Sequence, residues 1–396
     1  MTMPEQKKAV VPRLRFPEFR DAGPWEVKRL GDVCSTYSGG TPSSSHKEYY
    51  GGNIPFIRSA EIDSEVTELH ITEAGLLNSS AKLVRKGDIL IALYGANSGE
   101  AAIARIDGAI NQAILCLRSQ FNHHYILNYW LLMKHIIILR YLQGGQGNLS
   151  GEIVRSIEMP FPTLSEQQKI ADCLSSLDEV IELQAKKLEV LQAHKKGLMQ
   201  QLFPREGETT PRLRFPEFHD AGPWEVKRLG ELIETVTPSK KLQTADYLSE
   251  GRYPIIDQSL APIAGWTDDE SAVIREHLPL IVFGDHTCVI KIVSVPFCQG
   301  ADGIKILATK REVDPYFLYE FLLAFPIQQK EYRRHFSILK QKAVRFPKIQ
   351  TGEQQKIADC LSSLDELIEL QAKQLEALQT HKKGLMQQLF PQEIDL

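Results

Sequence analysis

The sequence predicts an α+β fold: two globular α/β domains separated by two long antiparallel coiled-coil helices, the whole arranged as a pseudo-twofold tandem repeat. Three observations carry that expectation. Pro12–Gly31 and Pro211–Gly230 are identical at 19 of 20 positions, Arg20 against His219 being the exception. Residues 166–204 and 353–391 match at 35 of 39, differing only at Val180/Leu367, Lys187/Gln374, Val190/Ala377 and Ala193/Thr380. Within that second repeat, apolar residues recur in a strict 4,3 alternation, the seam of a coiled coil.

Each element follows in chain order. Residues 1–23 carry the first short repeat block, and 24–160 form the first globular domain. There Lys86–Gly95 (KGDILIALYG) reads as a buried strand running into a glycine turn, with strand-like runs to Leu117 and a helix over Tyr125–Leu142. Residues 161–204 form the central helical spacer, with a seam through Ile170, Leu174, Leu177, Ile181, Gln184, Leu188, Leu191, Lys195, Leu198 and Leu202, stopped by Pro204. A Pro/Gly/Thr-containing linker and the second repeat block occupy 205–222. The second globular domain, 223–348, has the same plan: strand-like Leu280–Thr287 (LIVFGDHT), further runs to Leu307, then a helix over Pro315–Tyr332, so that Gly284 is the expected counterpart of Gly95. Residues 349–396 repeat the helical spacer through Ile357, Leu361, Leu364, Ile368, Gln371, Leu375, Leu378, Lys382, Leu385 and Leu389 up to Pro391. Each seam needs an apolar partner. In an antiparallel pair Gln184 and Gln371 would lie close together and fix register, unless each turns to solvent. A fully helical 166–203 would be about 57 Å long, spanning at most roughly 17 base pairs of DNA.

Composition bounds the class. A chain of 396 residues with 46 Lys+Arg, 50 Asp+Glu and 43% apolar content is a soluble globular protein of about two or three domains. The most apolar stretch, Tyr125–Leu142, is interrupted by Asn128, Lys134, His135 and Arg140 and falls short of the roughly 20 apolar residues a membrane span needs. No membrane partner is expected, the N-terminus does not resemble a secretory signal, and the expected location is cytoplasmic. The six cysteines form no CxxC pair, against a zinc site or disulfide framework.

No catalytic constellation stands out. GxxxxGK[ST], GxGxxG after a strand and HExxH are all missing from the sequence. Asp285-His286 in a turn after a strand could serve acid–base chemistry, but the corresponding turn of the first half, Gly95-Ala96-Asn97-Ser98, holds no titratable group. A turn presenting variable polar groups fits both halves, which makes Asn97, Ser98, His286 and Thr287 candidate contacts. The loop Ser38–Asn53 (SGGTPSSSHKEYYGGN) offers Ser38, Thr41, Ser43, His46, Lys47 and Tyr49, side chains suited to phosphates and base edges and equally at home in an ordinary exposed loop. Gln146 and Asn148 in QGGQGNLS have the same character. Neither domain is basic overall: residues 24–160 hold 12 basic and 13 acidic side chains, residues 223–348 hold 17 and 16. The single basic run, Lys330–Lys348, contributes Arg333, Arg334, Lys340 and Lys342. Arg58, Lys240, Lys241 and Gln258 complete the candidates. Two near-identical blocks should bind two copies of one partner, and two unlike domains should bind two different targets.

The chain resembles the specificity subunits of type I restriction-modification enzymes over essentially its whole length. The motifs are Pro24-Trp25 to Leu30-Gly31 and its copy Pro223-Trp224 to Leu229-Gly230; SGGTPS from Ser38; GGNIPFIRSAEI through Arg58; KGDIL from Lys86; and Pro162 with Glu166-Gln167 and Ile170, repeated at Glu353-Gln354 and Ile357. Tyr253-Pro254 to Asp257-Gln258, Gly265-Trp266, Phe283 to Thr287 and Gly300 to Gly303 resemble a different variety of recognition domain. The resemblance implies a non-catalytic chain whose two target recognition domains read the unlike halves of a bipartite site in double-stranded DNA. It also implies that the helical regions dock two methyltransferase subunits and, through them, restriction subunits; Leu174, Leu177, Ile181, Gln184, Leu188, Leu361, Leu364, Ile368, Gln371 and Leu375 are the candidate coiled-coil and partner residues. No cofactor is expected on this chain; S-adenosylmethionine, for methylation of adenine N6, and ATP and magnesium are expected on the partners. A modification-only complex, or a coiled-coil scaffold that binds no DNA, are the alternatives.

Overall fold

The computed structural model describes residues 10–142, 148–301, 303–327 and 335–391. They divide into two units, residues 1–184 with 374–396 and residues 185–373. The divisions fall inside the two long helices, so each unit holds the first part of one helix and the last part of the other.

In chain order the first globular region holds β1 (Glu26–Arg29), α1 (Leu30–Val33), β2 (Cys34–Ser38), β3 (Tyr50–Ile57), β4 (Leu69–Ile71), α2 (Glu73–Leu77) and β5 (Lys82–Val84). It continues with β6 (Ile89–Ala92), β7 (Ala101–Ile103), β8 (Gly108–Ile110), β9 (Ile114–Ser119), α3 (His123–Leu142), α4 (Gly151–Ser156) and β10 (Glu158–Phe161), and the first long helix, α5 (Leu164–Leu202), follows. The second region holds β11 (Glu225–Arg228), α6 (Leu229–Leu232), β12 (Ile233–Val236), β13 (Tyr253–Ile256), β14 (Gly265–Thr267), β15 (Val273–Ile274) and β16 (Leu280–Gly284). Then come β17 (Ile290–Val293), β18 (Phe297–Gln299), β19 (Ile304–Thr309), α7 (Pro315–Ala324), α8 (Phe336–Gln341), β20 (Ala343–Phe346) and the second long helix, α9 (Glu353–Leu389).

The two regions share one topology although their sequences do not repeat. Sheets ordered β2-β9-β6-β7 and β4-β3-β8-β5 in the first correspond strand for strand to β12-β19-β16-β17 and β14-β13-β18-β15 in the second, with the ribbons β1-β10 and β11-β20 alongside. The continuous apolar run of β6 follows from its central place, which buries both faces. Ile89 and Ile91 join the core under α3, with Tyr125 and Trp130, while Leu90 and Ala92 join Ile57 and Ile110 of the other sheet. In β16, Ile281 and Phe283 face α7 and Leu280 and Val282 face the second sheet.

Three details depart from the sequence reading. Gly284 is the last paired residue of β16, opposite Ile304, and corresponds to Ala92, opposite Ile114. Gly95 lies beyond its strand, because residues 93–100 make a longer turn than 285–289. Helix α7 ends at Ala324 rather than Tyr332: Pro326 cannot continue the ladder, and residues 328–334 lie outside the described residues. Helix α3 starts two residues before Tyr125, at His123, where Asn122 Oδ1 accepts the Tyr125 amide at 2.9 Å.

The recurrent Glu-Gln at each long helix start has a definite task. Arg15 of the first repeat block donates twice to Glu166, at 2.7 Å each, and Arg214 does the same to Glu353. Both pairs are bidentate and nearly dry, the carboxylates being 1% exposed. The neighbouring glutamine satisfies backbone: Gln167 accepts from the Asn122 amide and donates to the Pro162 carbonyl, as Gln354 does with Asp314 and Pro347.

The helices pair antiparallel in each unit. In the first, Lys382 donates to Asp178 and Gln184 to Gln374; in the second, Lys195 donates to Asp365. Every seam position is buried or half-buried, Ile170, Leu174, Ile357 and Leu361 wholly so, and Gln371 is buried as well. The residue after each helix completes a core. Phe390 packs on Tyr125 and Tyr129 in the first unit, and Phe203 on Trp224, Phe317 and Phe321 in the second.

Removing the Glu166 carboxylate strands a buried guanidinium. Glu166→Ala should therefore cost about 3–5 kcal/mol in urea unfolding, whereas Glu18→Ala, which removes an exposed partner of Lys169, should change stability little.

The two seam lysines differ in that Lys195 has a second carboxylate partner. Lys195 also lies 2.9 Å from Glu320 on α7, a carboxyl only 1% exposed. Burial pushes Glu320 up to about 7 against the opposing pull of Lys195, and Asp365 adds to the rise. A folded carboxyl that keeps its proton to higher pH than the unfolded one stabilises fully below about 4.5, and that contribution disappears as pH rises through about 7. Glu320→Gln should flatten this slope, the difference between pH 5 and pH 8 being at most about 3 kcal/mol by urea unfolding.

Candidate nucleic-acid interface

In the first unit the connections leaving β2, β6 and β8 are stitched together at one edge. The Gly39 amide donates to the Asn111 carbonyl, Thr41 Oγ1 to Gln112 Oε1 at 2.7 Å, and the Leu93 amide to the Ala113 carbonyl. Ser98 Oγ and the Leu149 amide both donate to the Leu93 carbonyl, at 3.0 Å each. Ser38, Thr41, Asn97, Ser98 and Asn148 are thereby gathered on one rim, joined by Gln112, which the sequence reading missed. Gly95, at φ +76°, takes the left-handed conformation that folds the 93–100 turn back.

The other first-domain candidates lie elsewhere or are engaged. Arg58 follows β3 at this end, but its guanidinium is held between Glu61 and Glu68, which raises its pKa. Ser43 pairs with Ser45. His46, Lys47 and Tyr49 precede β3, at the opposite end of that strand, where the His46 ring stacks on Tyr49 with centroids 4.8 Å apart and Nδ1 is 2.8 Å from Glu48. Gln146 lies outside the described residues.

The second unit builds the corresponding edge from other side chains. Thr287 Oγ1 donates to the Gln258 carbonyl at 2.9 Å, the Gly300 amide to Ile256, and the Asp285 amide to Gly303. Gln258 Oε1 is a buried atom with no hydrogen-bond partner among the described residues. A Cβ on Gly303 would come within 2.8 Å of the Gln258 amide nitrogen, so the glycine makes the seat for that side chain. Gln258, His286 and Thr287 are therefore neighbours on one rim. The Asp285 carboxylate accepts the amides of His335 and Phe336, at 2.9 and 2.7 Å. It anchors the start of α8, a structural role that leaves the acid–base reading of Asp285-His286 without support.

The basic candidates separate too. Lys240 is paired with Asp269 at 2.7 Å, which raises its pKa, and Lys241 is exposed beside it. Lys342 is half-buried over the Phe325 ring, and burial lowers its pKa. Lys340 lies 5.2 Å over the Phe336 ring and Lys305 5.8 Å over the same ring. Two ammonium groups thus flank one aromatic ring beside Asp285 and Gly303. Lys305 was invisible to sequence reading because its relation to Lys340 is made only by the fold. Arg333 and Arg334 lie outside the described residues. Among the described residues no group of three or more His, Cys, Asp or Glu is placed to hold a metal, and no helix is long and apolar enough to cross a membrane.

The model of the type I restriction modification DNA specificity domain matches this chain twice, over residues 23–193 and 222–380. The type I restriction enzyme MjaVIII specificity subunit of Methanocaldococcus jannaschii is 23% identical over 96% of this chain and 94% of its own length. The MjaIX specificity subunit of the same organism is 29% identical over 59% of this chain, a match spanning 57% of that relative. Among solved structures, the type I restriction-modification S subunit from M. genitalium is similar over 97% of this chain and 100% of its own, with TM-score 0.67 at 16% identity. With two matched domains covering most of the sequence on that shared fold, the chain belongs to the family of type I restriction-modification specificity subunits.

Proposed function

We propose that this chain is the non-catalytic, sequence-reading subunit of a type I complex, and that the two rims read the unlike halves of a bipartite site in double-stranded DNA. The observation carrying the reading is one scaffold built twice with different side chains at one place. Thr41, Asn97, Ser98 and Gln112 stand on the first rim, and Gln258, His286 and Thr287 on the second. Amides and hydroxyls at such positions can pair with base edges in the major groove, where all four base pairs are distinguishable. Lys305 and Lys340 supply phosphate attraction to the second rim.

The near-neutral charge of the chain is reasonable if most of the phosphate attraction comes from partner subunits. In this reading two methyltransferase subunits dock on the repeated helices, whose seams include Leu174, Leu177, Ile181, Leu188 and their copies. They carry S-adenosylmethionine and methylate adenine N6 after flipping the base from the stack. Restriction subunits, joined through them, carry ATP and magnesium. A modification-only complex would keep everything except the restriction subunits.

Cells carrying this gene with its methyltransferase partner should acquire a bipartite, asymmetric methyladenine motif in methylation sequencing, absent with the methyltransferase alone. No motif would favour a scaffold that binds no DNA. Exchanging residues 24–160 for another first domain should change one half of that motif only. Gln258→Ala should relax the second half at a cost of about 1–3 kcal/mol, whereas Lys305→Ala and Lys340→Ala should each lower the salt slope of binding by about one without changing the motif.

A further inference from the structure

The loop that leaves β13 through Gln258 continues as Ser259-Leu260-Ala261-Pro262-Ile263 before returning in β14. Its apolar residues point outward: Leu260 is 88% exposed, Ile263 is 39%, and Pro262 is exposed too. A single exposed leucine is ordinary, but this one is held in place. Lys291 of β17, 11% exposed along its side chain, donates to the carbonyls of both Asp257 and Ala261, at 2.9 and 2.6 Å. The ammonium thus ties together the two ends of a five-residue turn with Leu260 at its tip. Thr287 fixes the same turn from the other side through the Gln258 carbonyl.

Exposing apolar surface on a pinned loop gains the fold nothing, so the arrangement makes sense as one prepared for an apolar ligand group. Among the groups on DNA, the thymine 5-methyl in the major groove is apolar, faces outward, and lies on the same base-pair edges that amide and hydroxyl side chains read. Leu260 follows Gln258 by two residues, so one approach to the groove would bring both into play. We propose that the Lys291-pinned loop places Leu260 against a thymine methyl in the second half-site, making it a specificity-determining residue. The inference rests on the proposed DNA-reading rim.

The test uses the full chain with its methyltransferase and duplexes carrying the methylated site. Thymines of the second half-site are replaced one at a time by uracil, which lacks the methyl. Uracil at one position should weaken binding by the wild-type chain about fourfold, the worth of one buried methyl, and should not affect Leu260→Ala. Lys291→Ala, which frees the loop, should reproduce the loss. Uracil acting equally on wild type and Leu260→Ala, or on neither, overturns the proposal. So does a Leu260→Ala chain that binds site DNA normally but no longer co-purifies with the methyltransferase, which would make the loop a protein contact. If Gln258→Ala and Thr287→Ala also leave the motif unchanged, the rim itself is misplaced. If they relax the motif and Leu260→Ala does not, only the loop proposal falls.

Discussion

Phe390 and Phe203 directly follow the two long helices, and each is buried in a core to which its own half of the sequence contributes little else. Phe390 meets Tyr125 and Tyr129, more than 250 residues away in the chain, and Leu385, Met386 and Leu389 enter the same core. Leu198, Met199, Leu202 and Phe203 do the same for the second core. Neither globular region has a complete interior without the helix end delivered to it, and antiparallel pairing is what delivers it. Lys382–Asp178 and Lys195–Asp365, equivalent under the 187-residue repeat, mark that pairing in the two units.

The short repeat block belongs to the same arrangement. In each unit it lies where a helix start and a helix end meet. Arg15 reaches Glu166 at the start of α5, while the Leu14 amide donates to Gln388 near the end of α9. Arg214 and Leu213 repeat both contacts with Glu353 and Gln201. A block tied to both a helix start and a helix end tolerates few changes without loss, which gives a physical reason for a stretch with 19 identities in 20. The rims, by contrast, are loops on a sheet framework that already has its core, so their side chains can differ freely between the copies.

That contrast also explains what was legible in the sequence. The long helices, their seam and their stops are periodic and local: α5 spans Leu164–Leu202 and α9 Glu353–Leu389, each ending just before its proline. The buried strands could be read because β6 and β16 are apolar on both faces. Pro326 was a stop signal that the run of aromatic and leucine residues before it outweighed. The rims could not be read, because they depend on contacts between segments far apart. Thr41 meets Gln112 across 71 residues, and Lys305 meets Lys340 only through Phe336. Composition marked Ser38–Asn53 as one surface, whereas in the fold Thr41 pairs with Gln112 while His46 pairs with Glu48 and stacks on Tyr49. Arg58 looked like a free cation in sequence, and Glu61 and Glu68 claim it in the fold.

Photocross-linking tests most directly whether those two rims face DNA. A benzophenone side chain would be placed at Ser98 or Thr287, on the rims, and as controls at Asp107, beyond the far end of β7, or Glu276, exposed before the start of β16. In the full complex on its methylation site, the Ser98 and Thr287 probes should each cross-link to a different half-site, and the Asp107 and Glu276 probes should not cross-link to DNA. Cross-linking from Asp107 and Glu276, with none from Ser98 and Thr287, would contradict the account.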